Sequence, residues 1–181
     1  MLKTSFHVLL TTILSLTFAG AAYADRGEGE TKARQGVVRC GGNNFLRLSG
    51  TEIHFISYTM RNFDSEQPII IERMRFFDAT GAVLFDTFGG SLPPADNGVL
   101  GPTNNALNPN QTAQYSTDAI LPFLDQAHRP IQLEIEWSAD RRALTLDVLA
   151  SRIVRQRDAA TGAVQAERSR SATECRSIRL Q

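Results

Sequence analysis

The sequence predicts an all-β protein, a single antiparallel β-sandwich of about nine strands behind an N-terminal signal peptide. Apolar runs with two-residue alternation recur at short spacing, and turn-forming Gly, Asn, Asp and Pro residues separate them. Helical periodicity is almost absent from the sequence. The clearest region spans residues 53–85, where two turn signals join three strand-like apolar runs.

Residues 1–24 have the pattern of a secretory signal peptide. Lys3 supplies a positive charge, residues 8–18 an apolar segment, and Ala-Tyr-Ala at residues 22–24 a cleavage site. The apolar segment is too short and too rich in threonine for a transmembrane helix, so no such segment is expected after cleavage. We therefore expect cleavage after Ala24 and a bacterial protein that is periplasmic or secreted.

After cleavage the chain fits one domain. Loss of 24 of the 181 residues removes Lys3 and leaves 18 basic against 19 acidic residues, a net charge of −1. This balance gives no general attraction to nucleic acid, and none is expected as a partner. Residues 25–36 are polar and predict a disordered lead-in, whereas residues 37–181 predict the sandwich domain.

The chain has two cysteines, Cys40 near the start of the domain and Cys175 near its end. In an exported protein this pair predicts a disulfide that ties the first strand to the last. The two thiols lack the CxxC or His spacing of a metal site, so we expect neither a metal nor another cofactor. In the chain-entropy model, closing so long a loop stabilises the fold by roughly 4–5 kcal/mol.

Residues 51–60 predict a strand in the middle of a sheet. They alternate with a period of two, and both faces carry large apolar side chains, as expected when both faces are covered. Residues 62–68 contain Asn, Asp, Ser and Pro, which favour turns because three of them bond their own backbone and proline lacks an N–H. A loop should therefore follow the strand.

Residues 69–77 predict the next strand. Its apolar positions shift phase in the middle, which indicates a β-bulge near Glu72 and Arg73. Asp-Ala-Thr-Gly at residues 78–81 predicts a hairpin turn with glycine at a position of positive φ. Residues 82–85 then form the return strand.

Several motifs follow one another in this part of the chain: Arg61-Asn62-x-Asp64, Pro68-Ile69-x-Ile71, Phe76-Phe77-Asp78-x-x-Gly81, Leu107-x-Pro109 with Thr112 and Tyr115, and Leu133-Glu134-Ile135-Glu136-Trp137. Together they resemble a family of bacterial exported domains of unknown function, itself similar to the small β-sandwiches of the sensory-rhodopsin-transducer type. The resemblance covers roughly residues 48–137. It implies a sandwich fold and carries no chemistry, because the motifs are turn and core positions.

Residues 88–110 form the longest stretch without an apolar pattern, and they are rich in Gly, Pro and Asn. Loops of this length are uncommon in compact domains and are either functional or disordered. The oxygens of Asp96, Asn97, Asn104 and Asn105 suit a sugar or a cation, which makes these four residues candidates for binding. A flexible crossover between the sheets is the alternative, and we favour it.

Residues 111–117 predict a strand, and Thr117 or Asp118 then caps one helical turn. Residues 131–137 alternate cleanly along a further strand. The expected inward side chains are Ile131, Leu133, Ile135 and Trp137, and the expected outward ones are Gln132, Glu134 and Glu136.

Glu134 and Glu136 are the only pair that suggests catalysis. Two residues apart on one strand face, their Cβ atoms lie roughly 6–7 Å apart, near the carboxylate separations that glycosidases use. This spacing supports a polysaccharide hydrolase as one alternative function. A solvated strand face is the simpler explanation, because Glu-x-Glu is common there.

The C-terminal part predicts a turn at residues 140–142, a long strand at residues 143–157, a turn at residues 158–162 and a return strand at residues 163–180. Seven arginines follow residue 151, and several of them would share one face of this hairpin. Arg152, Arg155 and Arg157 are therefore candidates for binding an acidic glycan, lipid phosphate or an acidic protein. The alternative is a solvated ribbon whose charges discourage edge pairing.

These observations favour an exported, non-enzymatic interaction module of the bacterial envelope, with an envelope protein or acidic glycan as its unknown partner. Recognised motifs for nucleophilic, metal-dependent and nucleotide-dependent catalysis are absent from the sequence. A structural subunit that associates through an exposed edge strand is a further alternative.

Overall fold

The computed structural model describes residues 32–41, 47–49, 51–88, 91–120 and 130–178. These residues form two antiparallel sheets that share one core, which confirms the predicted all-β sandwich. The predicted signal peptide and residues 25–31 of the predicted lead-in lie outside the described residues. Within the described ranges, no helix has the length and apolar character needed to cross a membrane.

Eleven strands and one helical turn occur in the described part of the chain. In chain order they are β1 (Lys32–Cys40), β2 (Arg47–Ser49), β3 (Glu52–Arg61), β4 (Ile69–Phe77), β5 (Val83–Asp86), β6 (Ala106–Leu107), β7 (Thr112–Ser116), α1 (Thr117–Ile120), β8 (Gln132–Leu144), β9 (Asp147–Arg157), β10 (Val164–Glu174) and β11 (Arg176–Ile178). Sheet A has the order β11-β1-β8-β4-β5, with β6 beside β4. Sheet B has the order β10-β9-β3-β2, with β7 beside β3.

The core lies between the two sheets and contains the side chains that alternation places inward. Tyr58 of β3 meets Phe76 of β4 edge-on across the core, with ring centroids 6.0 Å apart. Trp137 of β8 is buried, as predicted, and Tyr115 of β7 closes the same interior. Because both sheets contribute large side chains to this one cluster, their inner faces are covered, and their outer faces, edges and loops remain accessible.

The bulge and the two hairpin turns, which were predicted from residues adjacent in the sequence, are confirmed. The register between β4 and β8 shifts between Ile71 and Arg73, which confirms the predicted bulge. Both predicted hairpin turns are present, with φ values of 87° at Gly81 and 70° at Gly162. In the first turn, the Asp78 carboxylate accepts hydrogen bonds from the backbone N–H groups of Thr80 and Ala82.

The predicted disulfide joins Cys40, at the end of β1, to Cys175. Cys175 lies between β10, which belongs to sheet B, and β11, which belongs to sheet A. The disulfide therefore fixes the point where the chain passes from one sheet to the other. One expectation is corrected here: of the predicted return strand at residues 163–180, the described part to residue 178 forms two strands in different sheets.

Two boundaries also differ from the prediction. Strand β1 begins at Lys32, so residues 32–36, expected in the disordered lead-in, are part of sheet A. Strand β8 continues through residues 140–142, where a turn was expected, because its end pairs with the start of β1. Residues 139–142 themselves lie in an irregularity of this pairing, between the pairs Ala143–Ala33 and Ser138–Gln35.

The long segment before β7 is packed rather than a flexible crossover. Leu92, Leu100 and Leu107 in residues 91–110 belong to the core, and β6 pairs with β4. The buried Asn62 side chain donates hydrogen bonds to the carbonyls of Gln67 and Leu107, at 2.8 and 2.9 Å. These contacts connect the segment, at Leu107, to the loop between β3 and β4, which contains Asn62 and Gln67.

Candidate functional site

A depression of about 450 Å³ opens on the outer face of sheet B, and we call it the sheet B depression. Strands β3, β7, β9 and β10 supply its floor and walls, and the loop before β6 supplies one side. Its lining residues are Phe55, Ser57, Asp96, Gln114, Ser116, Ile153, Arg155 and Glu167. The volume lies within the range of small-ligand pockets, roughly 300–1,000 Å³.

Strand register brings these residues together. Phe55 lies opposite Ile153, and Ser57 lies opposite Ser116, in the antiparallel pairs that β3 forms with its two neighbours. Directly opposed residues share a face of the sheet. Because the neighbouring residue Ile56 is buried in the core, this set faces away from the core.

The floor of the depression is apolar but covered by a cation. Phe55 is 2% exposed, and the Arg155 guanidinium lies over its ring, 4.5 Å from the centroid. Arg155 Nε donates a hydrogen bond to Glu167 Oε2 at 2.6 Å. Glu167 belongs to β10, in which every residue is exposed, so this ion pair connects the floor to the edge of sheet B.

The opposite wall is built from hydroxyl and amide groups. Gln114 Nε2 donates to Ser57 Oγ at 3.1 Å, and Ser116 Oγ donates to Asp96 Oδ1 at 3.1 Å. Both serines are buried, whereas Gln114 and Asp96 are exposed. A backbone hydrogen bond of 2.7 Å from Asp96 N to Gln114 O holds the loop against β7.

The Asp96 carboxylate also affects Tyr115, a buried residue next to the depression. Burial raises the pKa of Tyr115 well above its ordinary value, and the nearby Asp96 carboxylate raises it further. The Tyr115 hydroxyl donates to the Pro93 carbonyl at 3.1 Å. Tyr115 is therefore a neutral anchor for the loop that carries Asp96.

Of the predicted loop candidates, only Asp96 lines this depression. Asn97 is occupied with backbone contacts, because its side chain donates to Thr112 O at 2.7 Å and accepts from Gln114 N. Asn104 and Asn105 line a different depression of about 220 Å³ beside Glu72. Their amides donate to backbone carbonyls, so both residues hold the loop in shape.

The predicted arginine face is divided. Arg155 and Arg157 alternate with the inward residues of β9, whereas Arg152 lies opposite the buried Ile56 and shares the inner face. There Arg152 Nη2 contacts His54 Nδ1 at 2.8 Å. Arg155 and Arg157 therefore share one face, but Arg152 does not join them, because its position in the alternation places it on the other face of the strand.

His54 also bonds Glu52, through Nε2, at the same end of the inner face. This hydrogen bond holds the pKa of the Glu52 carboxyl below its ordinary value. The imidazole therefore links a carboxylate on one side to the Arg152 guanidinium on the other. These contacts explain Arg152 as part of a local hydrogen-bonded cluster rather than of an open basic surface.

Glu134 differs from the expectation of a solvated side chain, since only 4% of it is exposed. Arg39 Nε bonds one of its oxygens and Arg75 Nη2 bonds the other. Arg75 also bonds Glu136 at 2.6 Å. The two carboxylates thus belong to an ion-pair network on the outer face of sheet A, next to a depression of about 250 Å³.

Sequence reasoning missed most of the depression, including Phe55, Ser57, Gln114, Ser116, Ile153 and Glu167. Phe55 and Ile153 were indistinguishable from core residues of the strands. Two signals were available: Ser57 is a polar residue between buried neighbours, and Gln114 and Ser116 are polar residues of one short strand. Only the register between the strands shows that these residues meet.

Comparison with known proteins adds no assignment, because no family model, curated protein or solved structure matches the chain. The described ranges also contain no group of three or more His, Cys, Asp or Glu side chains arranged to hold a metal ion.

Proposed function

We propose that the protein is an exported, non-enzymatic binding module of the bacterial envelope that holds its ligand in the sheet B depression. The observation that carries this proposal is the arrangement of two buried hydroxyls, Ser57 and Ser116, in one open concavity whose floor is formed by Ile153 and by Arg155 stacked on Phe55. Small-ligand sites combine apolar surface with a few positioned polar groups in this way.

The disulfide between Cys40 and Cys175 supports the exported location. Disulfides persist in the periplasm and outside the cell, where thiols are not kept reduced. Together with the predicted signal peptide, it supports an envelope component as the ligand. An envelope protein and a glycan are both candidates on these grounds.

The hydrolase alternative lacks support from the geometry of Glu134. A general acid must hold a proton near the scissile bond. Both Glu134 oxygens instead accept hydrogen bonds from guanidinium groups of the protein itself, so both are already engaged. This ion-pair network is better explained as a set of structural contacts that link β1, β8 and β4 on the outer face of sheet A.

Association through an edge strand is a second candidate, because β10 leaves an edge of 11 residues uncovered on both faces. Such an edge can pair with another strand. Its register with β9, however, shifts near Gln165 and again near Arg170. Bulges and charges such as Arg168 are features that discourage edge pairing, so we rank this function below ligand binding.

Sedimentation with isolated envelope fractions tests the proposal. The mature protein is mixed with murein sacculi, outer-membrane polysaccharide or solubilised envelope proteins, and the bound fraction is measured. We expect at least one fraction to bind wild type and to lose most binding with the double substitution Asp96→Ala and Gln114→Ala. Gln132→Ala, which removes an exposed glutamine from sheet A, is the matched control and should bind normally.

Failure of all fractions to bind wild type would contradict the binding function. Normal binding by the double variant would place the site elsewhere on the protein. Sedimentation velocity on the same samples tests the edge-strand candidate, which requires oligomers of the purified protein.

A further inference from the structure

We infer that the ligand of the sheet B depression is an uncharged saccharide bearing hydroxyl and amide groups, rather than an acidic glycan. This inference rests on the proposed binding function and names the ligand class. It depends on three properties of the lining: its charge balance, its hydrogen-bonding groups and its apolar floor.

The charge balance disfavours an anionic ligand. Three ionisable side chains line the depression, the carboxylates of Asp96 and Glu167 and the guanidinium of Arg155, which gives a formal charge of −1. Arg155 already bonds Glu167 at 2.6 Å. A ligand carboxylate would have to compete with Glu167 for this guanidinium while it approaches a second carboxylate, and like charges at short range repel.

The polar wall suits a ligand whose groups both donate and accept hydrogen bonds. A serine hydroxyl has one donor and two acceptor positions, and a glutamine side chain has two donors and an acceptor. Ser57 uses one acceptor position for Gln114, and Ser116 uses its donor for Asp96. Saccharide hydroxyls and acetamido groups have the same dual character, so they can satisfy these groups without adding charge.

The floor suits the C–H face of a sugar ring. Ile153 and the Arg155 side chain, which lies over Phe55, form a surface beside the serines. A guanidinium stacked on an aromatic ring is planar and directs its N–H groups outward at the rim. A ring lying there would contact Ile153 and the flat face of the guanidinium, with hydrogen-bonding groups at its edge, and a few positioned polar groups beside such a surface fix orientation in small-ligand sites.

Isothermal titration calorimetry on the mature protein tests the ligand class. One set of probes contains neutral di- to tetrasaccharides of hexoses and N-acetylhexosamines, and the other contains uronic-acid oligomers of equal length. We expect a neutral probe to bind at least about tenfold more tightly than its acidic counterpart at low salt. Gln114→Ala should weaken neutral binding about five- to tenfold, as expected for one lost hydrogen bond.

Gln114 is exposed, so this variant should keep the wild-type unfolding temperature, and Gln132→Ala is again the control. Equal or tighter binding of the acidic probe would overturn the inference. So would the absence of any neutral binding when the protein still binds an envelope fraction, since the ligand would then be a protein or an acidic polymer. Absence of binding to both probes and fractions would instead contradict the binding function itself.

Discussion

Gly36 of β1 lies directly against the indole of Trp137 on the neighbouring strand. A Cβ atom added at Gly36 would stand 2.8 Å from Trp137 Nε1 and 2.9 Å from two ring carbons, closer than real side chains pack. The two residues are cross-strand partners in the middle of sheet A. The largest core side chain therefore fits only because its partner has none.

We expect Gly36→Ala to lower the free energy of unfolding by about 1–3 kcal/mol, the usual cost of overpacking. Urea unfolding followed by tryptophan fluorescence measures this change. Gln35→Ala, on the exposed neighbour, is the control and should change stability by less than about 0.5 kcal/mol. Combining Gly36→Ala with Trp137→Leu should cost less than the sum of the single changes, and simple additivity would disprove the contact.

The disulfide should supply a large part of the stability of the domain. Its cysteines are 135 residues apart, so the double substitution Cys40→Ser and Cys175→Ser should lower the free energy of unfolding by roughly 4–5 kcal/mol. Chemical unfolding of the oxidised protein and the variant measures the difference. Reductant should lower the stability of wild type toward that of the variant and leave the variant unchanged. Wild-type stability that does not respond to reductant would show that the bond does not form.

The sequence was informative where a structural feature depends on a few consecutive residues. The phase shift at Glu72 and Arg73 locates the bulge, and Asp with Gly locates both hairpin turns. It was less informative where distant strands decide the outcome. Residues 140–142 look like a turn in isolation, but the distant Gln67 side chain accepts a hydrogen bond from Arg141 N and donates one to Arg142 O, and pairing with β1 resumes at Ala143.

The candidate site shows the same limit more strongly. Arg155 and Asp96 were candidates because of their charge, but the sequence could not place them in one depression, since β7, β9 and β10 meet there only through sheet pairing. Glu134 was expected outside because it alternates with Leu133 and Ile135. It does face outward, but arginines on both neighbouring strands bury it, and local periodicity contains no information about them.

A buried polar cluster should hold the loop between β3 and β4. Asn62 donates to two carbonyls and accepts from Asp64 N, and the Asp64 carboxylate accepts from the backbone of Gln67 and Leu144. Asn62→Ala leaves these buried groups without partners, so we expect a loss of about 2–4 kcal/mol in thermal or urea unfolding. Asn97→Ala removes bonds at an exposed site, where water can replace them, and should cost no more than about 1 kcal/mol.

The ion pair between Arg73 and Asp86 should make stability depend on acid pH. Two hydrogen bonds of 2.8 and 2.5 Å from Arg73 lower the pKa of Asp86 to about 2. A carboxyl with a lowered pKa contributes stability above the unfolded-state value of about 4, and this contribution is lost as the pH falls toward about 2.

Because the pair is largely at the surface, its contribution should stay below about 1 kcal/mol. In wild type, the free energy of unfolding should fall by this amount between pH 4 and pH 2 because Asp86 becomes protonated. The Asp86→Asn variant should lack this contribution to the fall. An unchanged pH profile in the variant would show that the ion pair does not form in solution.

Glu134 should be a structural residue, and its neutralisation provides the sharpest contrast with the hydrolase alternative. Glu134→Gln removes the charge that bonds Arg39 and Arg75, while Arg75 keeps its contact with Glu136 and Arg39 remains largely exposed to water. We expect a loss of about 1–3 kcal/mol in the free energy of unfolding, since bonds to charged groups contribute about this much. Glu136→Gln, at a more exposed carboxylate, is the control and should cost less than about 1 kcal/mol. Binding to envelope fractions should be unchanged in the folded Glu134→Gln variant, because Glu134 lies on sheet A and the depression lies on sheet B. If wild type hydrolyses an envelope polysaccharide and Glu134→Gln does not, that result would contradict both the structural role and the binding function.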